Sequence, residues 1–222
     1  MNTIDFRKEP KVTAWEKSLK DAGCTIGPIK PLSLLHKKNG ELLFALCDAD
    51  VTDPQGNRLP RYIFIRGNAC IVVPLVKNSD TGEERFLMIR QRRIGNGMEN
   101  LEFPAGMLDR TVDAVREVAI RELREETGLV VSPDDLRELH NGPLYSSAGA
   151  SDEGIYYFGS IVSLSGEDFK ALDGRVAGNR SDGEKITVSL CTREAAESGT
   201  ASLQARLGLY LFAEYLKKIR RT

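Results

Sequence analysis

Histidine is nearly missing from this chain of 222 residues: His36 and His140 are the only two, and they are read as forming no ligand pair. Each is expected to be structural or solvent-facing. The four cysteines, Cys24, Cys47, Cys70 and Cys191, show no paired spacing, which argues against a structural zinc site and for reduced thiols in a cytoplasmic protein. All four are read as buried core residues. No apolar run approaches ~18 residues, and the first ten residues lack the apolar core of a signal peptide, so no membrane partner is expected. Charge of one sign is lacking too. A formal net charge of −1 leaves no electrostatic footprint for nucleic acid or an anionic membrane, which points to a small substrate. There is no internal repeat and no low-complexity tract.

What is present is enough for a sizeable core. With 41% hydrophobic residues, the chain suits one domain, or one domain with a small appendage. Residues 11–22 read as a short amphipathic helix carrying Trp15 and Leu19. After a turn-rich stretch at 23–31, the runs 32–36 and 41–47 flank Lys38, Asn39 and Gly40, a hairpin signal. Strands are expected at 61–66, 69–76, 85–91, 155–163 and 185–190. A helix is expected over 201–219, with Leu203, Leu207, Tyr210, Leu211 and Leu216 as its apolar stripe. Strands then helix, twice over, indicate an α/β fold: an α/β/α sandwich on a mixed sheet.

The most informative stretch packs Glu122, Glu125 and Glu126 beside Thr127 and Gly128. At about 100° per residue, Glu126 falls inside the apolar arc of Val112, Val115, Ala119 and Leu123, so it should be partly buried. Like charges four residues apart cost about 0.2–0.5 kcal/mol even when exposed. The C-terminal end of the helix dipole opposes them by a further ~0.3–1 kcal/mol, and desolvation adds more. Gly128 is the natural stop. Crowding of this kind asks for a cation, although a solvated face paired with Arg121 and Arg124 would also account for the charges.

The same residues resemble the Nudix box: Gly, five residues, Glu, seven residues, then Arg-Glu-apolar-x-Glu-Glu-x-Gly-apolar. Arg121, Glu122, Leu123, Glu125, Glu126, Gly128 and Leu129 fit it. Upstream the match departs, because six residues separate Gly106 from Asp113 and Asp113 replaces the glutamate. The stretches 66–75, 101–109, 147–153 and 183–188 extend the similarity to Nudix enzymes that cleave ADP-ribose and ADP-sugars, the plant-type ADP-sugar diphosphatases above all.

That resemblance implies a Nudix domain over 61–222, preceded over 1–60 by a helix and a β-rich segment that builds a homodimer. It implies that Glu122, Glu126, the backbone carbonyl of Ala105 and Glu184 bind Mg²⁺ or Mn²⁺, hard cations suited to oxygen donors, with Glu125 assisting and Arg121 orienting a box glutamate. Three carboxylates are open as the general base, Asp182, Glu184 and Glu153. Family position favours 182–184, with Glu153 near the diphosphate or the terminal sugar. Arg61, Arg66, Arg93, Met107 and Gly149 are further substrate-site candidates. The implied reaction is hydrolysis of an ADP-linked sugar to AMP and sugar phosphate. UDP- or GDP-sugars, and a nucleotide sensor without catalysis, are the alternatives. Ala148 and Ala150 stand where the family has Pro and Gly, which leaves the sugar open.

Overall fold

The computed structural model describes residues 6–108, 115–178 and 185–220. The chain divides into two compact units, one from Met1–Ala69, Met107–Val112 and Leu144–Ile155, the other from Cys70–Gly106, Asp113–Pro143 and Tyr156–Thr222.

In the first unit, helix α1 (Pro10–Asp21) opens on a proline, which costs nothing where no amide partner is needed. Strands β1 (Thr25–His36), β2 (Leu42–Thr52) and β3 (Tyr62–Ile65) form an antiparallel sheet in that order. Along β2, Ala45, Cys47, Ala49 and Val51 alternate into a core with Val12, Trp15, Leu42 and Ile65, the period of two that a half-buried strand requires. Phe44 and Leu46 point the other way, opposite Leu35 of β1 and Phe64 of β3 respectively. On that second face Leu35, Leu46 and Tyr62 are exposed.

Strand β1 corrects the expectation of a turn-rich 23–31: the strand begins at Thr25 and runs through Pro28 and Pro31. Its pairing with β2 shifts register between Ile26 and Ile29 and again between Pro31 and Ser33. Bulges of this kind are where a strand accommodates prolines that cannot donate to the ladder.

The second unit is built on a sheet of β4 (Ala69–Asn78), β5 (Glu84–Arg92), β6 (Glu99–Glu102), β7 (Ala105–Met107), β8 (Arg137–Glu138), β10 (Gly154–Leu164), β11 (Val176–Ala177) and β12 (Ile186–Cys191). The path is β11-β12-β5-β4-β10-β8, with β6 on β5 and β7 on β4. The short β9 (Leu144–Tyr145) pairs with Gly154 and Ile155, the start of β10, within the first unit.

Central β4 is buried along nearly its whole length, as expected of a strand covered on both faces. Cys70 lies on the side of α2 (Val115–Thr127), where the Glu122 and Glu126 carboxylates act on it. Val73, of opposite parity, faces α5 (Leu203–Ile219), where a Cβ on Gly208 would sit 3.0 Å from its methyl. The two helices therefore cover opposite faces, an α/β/α arrangement. Shorter helices α3 (Gly166–Leu172) and α4 (Arg193–Gly199) complete the unit. Phe86 meets Phe103 and Phe212 edge-on at 6.0 and 5.8 Å, a preferred aromatic geometry.

The face that α5 buries differs from the expected stripe. Ala205, Gly208, Leu209 and Phe212 are inside, whereas Leu203 and Tyr210 are 64% and 60% exposed. The 3.6 period holds, but the helix is rotated because Gly208 lets it settle close against Val73 and Phe103.

Candidate active site

The acidic turn of α2 is held by local rules. Gly128 takes φ +78° and its amide donates to the Arg124 carbonyl at 2.8 Å, closing the helix as a left-handed glycine does. Thr127 Oγ1 donates to the Leu123 carbonyl at 2.5 Å and accepts the Leu129 amide at 3.0 Å. Glu126 is thereby turned inward and is only 7% exposed. Its Oε2 accepts the Ala105 amide at 3.0 Å.

Glu122, one turn earlier, lies over Gly106: a Cβ there would come within 2.1 Å of the Glu122 Cγ and 2.7 Å of its Oε1. Glycine is needed at 106 for space, and the glutamate uses that space. Arg121 Nη2 donates to Glu122 Oε1 at 2.9 Å, with the glutamate side chain 19% exposed. Beneath them the Cys70 thiol is pushed up to about 12, first by burial and further by the charges of Glu122 and Glu126, against the opposing effect of the Gly106 backbone and Arg121.

The Glu122 and Glu126 carboxylates, two hard oxygen donors, thus lie beside the backbone of Ala105 and Gly106. Among the described residues no group of three or more His, Cys, Asp or Glu side chains gathers as a metal cage. Mg²⁺ does not require one, since it keeps several waters and takes one or two carboxylates together with substrate phosphate. The residues present fit such an ion. Asp113, Asp182 and Glu184 lie outside the described residues. Glu125 is exposed and lines a surface hollow with Glu117, Arg121 and Arg124.

Arg93, in the second unit, grips Glu102 through Nε at 3.2 Å and Nη2 at 2.7 Å. In the first unit Arg61 makes a two-pronged pair with Asp48 at 2.7 and 2.9 Å, which raises the arginine pKa. Arg66 pairs with Glu153 at 3.1 Å. Burial moves the Glu153 carboxyl upward, the Arg66 charge opposes that shift, and the Asp152 charge adds to it. Met107 is half-buried in β7. Gly149 is exposed, and a Cβ on it would meet nothing within 4 Å, so close approach of the protein's own backbone is not its reason for being glycine.

The sequence profile of the NUDIX domain matches residues 68–206 of this chain. The chain belongs to the Nudix family. It is 30% identical over 196 residues to Nudix hydrolase 14, chloroplastic, of Arabidopsis thaliana, an alignment covering 84% of this chain and 62% of the plant protein. The chain therefore spans less than two thirds of that relative. The crystal structure of an ADP compounds hydrolase superposes with a TM-score of 0.60 at 20% identity, covering 90% of this chain and 97% of the other. At that identity the likeness concerns the Nudix fold.

Within the first unit the structure also shows contacts that sequence reasoning passed over. Asp152 accepts the amides of Arg66 and Gly67 at 2.8 to 3.2 Å, and Asn68 Oδ1 accepts the Gly154 amide at 3.0 Å. Lys11, buried in α1, donates to the Leu43 carbonyl at 3.1 Å. Each contact joins residues more than thirty positions apart, so no local spacing announced them. Cysteine burial is corrected at one position: Cys47, Cys70 and Cys191 are buried and Cys24 is half-buried.

Proposed function

We propose that this Nudix protein is a divalent-metal-dependent hydrolase that splits the pyrophosphate of an ADP-linked sugar, of the ADP-ribose or ADP-glucose type, into AMP and a sugar phosphate. The observation that carries the reading is the buried Glu126, braced by the Ala105 amide, with Glu122 laid over Gly106. Crowding two carboxylates at the end of a helix is costly even with Arg121 beside Glu122, and a divalent cation would offset that cost. When bound, Mg²⁺ or Mn²⁺ neutralises phosphoryl charge and lowers the pKa of an attacking water. Glu122, Glu126 and the Ala105 carbonyl would hold the ion, together with Glu184. The Ala105 amide fixes one oxygen of Glu126, and Arg121 orients Glu122.

A carboxylate must take the proton of the water. Glu153 is engaged with Arg66, which supports a base at Asp182 or Glu184 and a place for Glu153 at the diphosphate or sugar. Arginine forks suit phosphate, and Arg66, whose buried Nε has no acceptor among the described residues, is the arginine of the set with a donor to spare for that task. ADP specificity draws its support from the fold neighbour, named as an ADP compounds hydrolase, and from the motif resemblance.

The same reading makes the protein a homodimer through the first unit, whose sheet leaves Leu35, Leu46 and Tyr62 exposed together on one face. Four free cysteines suit a reducing compartment, in our reading the cytoplasm, although the plant relative is named as chloroplastic. Among the described residues no helix is long and apolar enough to cross a membrane.

The test is purified protein with Mg²⁺ against ADP-ribose, ADP-glucose, UDP-glucose, GDP-mannose and NADH, with products resolved by chromatography. AMP from an ADP-linked sugar is the expected result. Faster release from UDP-glucose or GDP-mannose would replace the nucleobase, and tight binding without turnover would make the protein a sensor. Leu46→Asp should move the protein from dimer to monomer by light scattering, and an unchanged mass would remove the sheet face from the dimer.

A further inference from the structure

We propose that Asp152 and Lys11 are positioning residues for Arg66, fixing the backbone and the aromatic seat from which its guanidinium meets the anionic part of the substrate. The inference rests on the reading of the protein as a nucleotide-sugar hydrolase.

Arg66 directly follows β3, and Gly67 turns the chain with φ +78°. The turn presents two successive amides to one carboxylate: Asp152 Oδ1 accepts Arg66 N at 2.8 Å and Gly67 N at 3.2 Å, and Oδ2 accepts Gly67 N at 3.1 Å. Successive amides of this kind form an anion-binding nest. Here the protein fills the nest with its own side chain, drawn from more than eighty residues away. The next residue, Glu153, holds the Arg66 guanidinium at 3.1 Å. The guanidinium lies over the Phe44 ring at 5.8 Å, and the Lys11 ammonium lies over the same ring at 5.9 Å. Phe44 in turn leans on Phe64 at 5.2 Å.

Lys11 is only 7% exposed, an unusual place for a lysine. Its stem passes 3.3 Å from where a Cβ on Gly67 would sit, so Gly67 leaves room for it. Two cations and two carboxylates are thus interleaved around one turn. The arrangement is elaborate for an arginine with no task, and one N–H is left over: Arg66 Nε is buried with no acceptor among the described residues. A desolvated donor without a partner is costly, and an anionic oxygen of the substrate is the chemistry that would satisfy it. Glu153 sets the direction of the fork, Asp152 sets the backbone beneath it, and Lys11 backs the ring on which it rests.

The experiment is steady-state kinetics with ADP-ribose and Mg²⁺ on the full chain, for Asp152→Asn, Lys11→Met, Arg66→Ala and the Asp152→Asn/Arg66→Ala double variant, each checked for folding by circular dichroism and melting. Asp152→Asn keeps one acceptor oxygen and should raise KM about tenfold, with kcat changed less than about twofold, the signature of lost ground-state binding. Lys11→Met should raise KM about threefold. On the Arg66→Ala background Asp152→Asn should add little, because its effect passes through Arg66. An unaltered KM in Asp152→Asn, or a shift that persists in full without Arg66, overturns the proposal. If Asp152→Asn does not fold, Lys11→Met decides alone, and an unchanged KM in it counts against the proposal. Wild-type protein that hydrolyses no nucleotide sugar overturns the proposed function and this inference with it. A wild-type enzyme that hydrolyses ADP-ribose while the variants match it overturns only the inference.

Discussion

Glu122 and Glu126 sit one turn apart on a helix, whereas Asp152 and Glu153 are neighbours in a loop, and the protein treats the two acidic pairs in different ways. The loop pair is matched within its own unit: Asp152 by two backbone amides and Glu153 by the Arg66 guanidinium. The helix pair sits at the negative end of a helix dipole, crowded over a glycine, and its charge is felt by the thiol beneath it. Both pairs have partners in the fold, since Arg121 meets Glu122 and the Ala105 amide meets Glu126. What differs is that the loop carboxylates hold a turn and an arginine still, whereas the helix carboxylates are crowded together where the helix dipole opposes them, which on the proposed reading suits a divalent ion.

The strongest way to break this contrast is Glu126→Gln. The glutamine oxygen still accepts the Ala105 amide, so the fold should survive, but turnover should fall about a thousandfold, the several kcal/mol that a metal supplies to charge stabilisation. Activity near wild type in a folded variant would remove Glu126 from the metal site. Gly106→Ala comes next. The added methyl must displace Glu122, and a misplacement of ~1 Å should cost about a hundredfold in kcat/KM, measured alongside the Mg²⁺ concentration for half-maximal rate.

Glu153→Gln sharpens the comparison from the other side. It should raise KM by about tenfold, the order expected for a lost charged hydrogen bond, while leaving the Mg²⁺ dependence where it was. A shifted Mg²⁺ curve would mean that the loop pair shares the ion.

The smallest effect lies in the thiol. Cys70 has its pKa raised from 9.0 to about 12 in the folded protein, so it keeps its proton where the unfolded chain would lose it. Its contribution to stability is complete below about pH 9 and is lost as pH rises toward 12, because over that range the folded state binds more protons. Denaturant midpoints measured across that window should decline, and Cys70→Ala should flatten the decline. An unchanged slope would show that burial and the neighbouring charges do not raise the thiol's pKa.

The features legible in the sequence were those governed by neighbours along the chain. The acidic helix and its stop at Thr127 and Gly128 follow from a 3.6 period and one left-handed glycine, and the α/β class follows from the order of strands and helices. The rotation of α5 was not legible, because it depends on Gly208 meeting Val73 and Phe103 far upstream. Nor was the length of β1, since Pro28 and Pro31 read as turns until a partner strand with bulges accommodates them. The clasp of Asp152 on the turn at 66–67 joins distant segments and left no spacing to find. By contrast, the glycine of the box could be picked out by its motif, but its physical reason, the Glu122 side chain laid across it, emerges only in the folded chain.

The small sheet of the first unit has both of its borders closed. On one side β3 is occupied by the segment at 150–152, through Phe64 N to Ala150 O at 2.8 Å and a bridge to Ser151. On the other, the prolines and displaced register of β1 spoil the row of donors and acceptors that an incoming strand would copy. These features disfavour lengthening the sheet by hydrogen-bonding another strand alongside it. In the proposed dimer a second molecule would therefore come down flat, stacking side chain on side chain, with association governed by a few apolar residues.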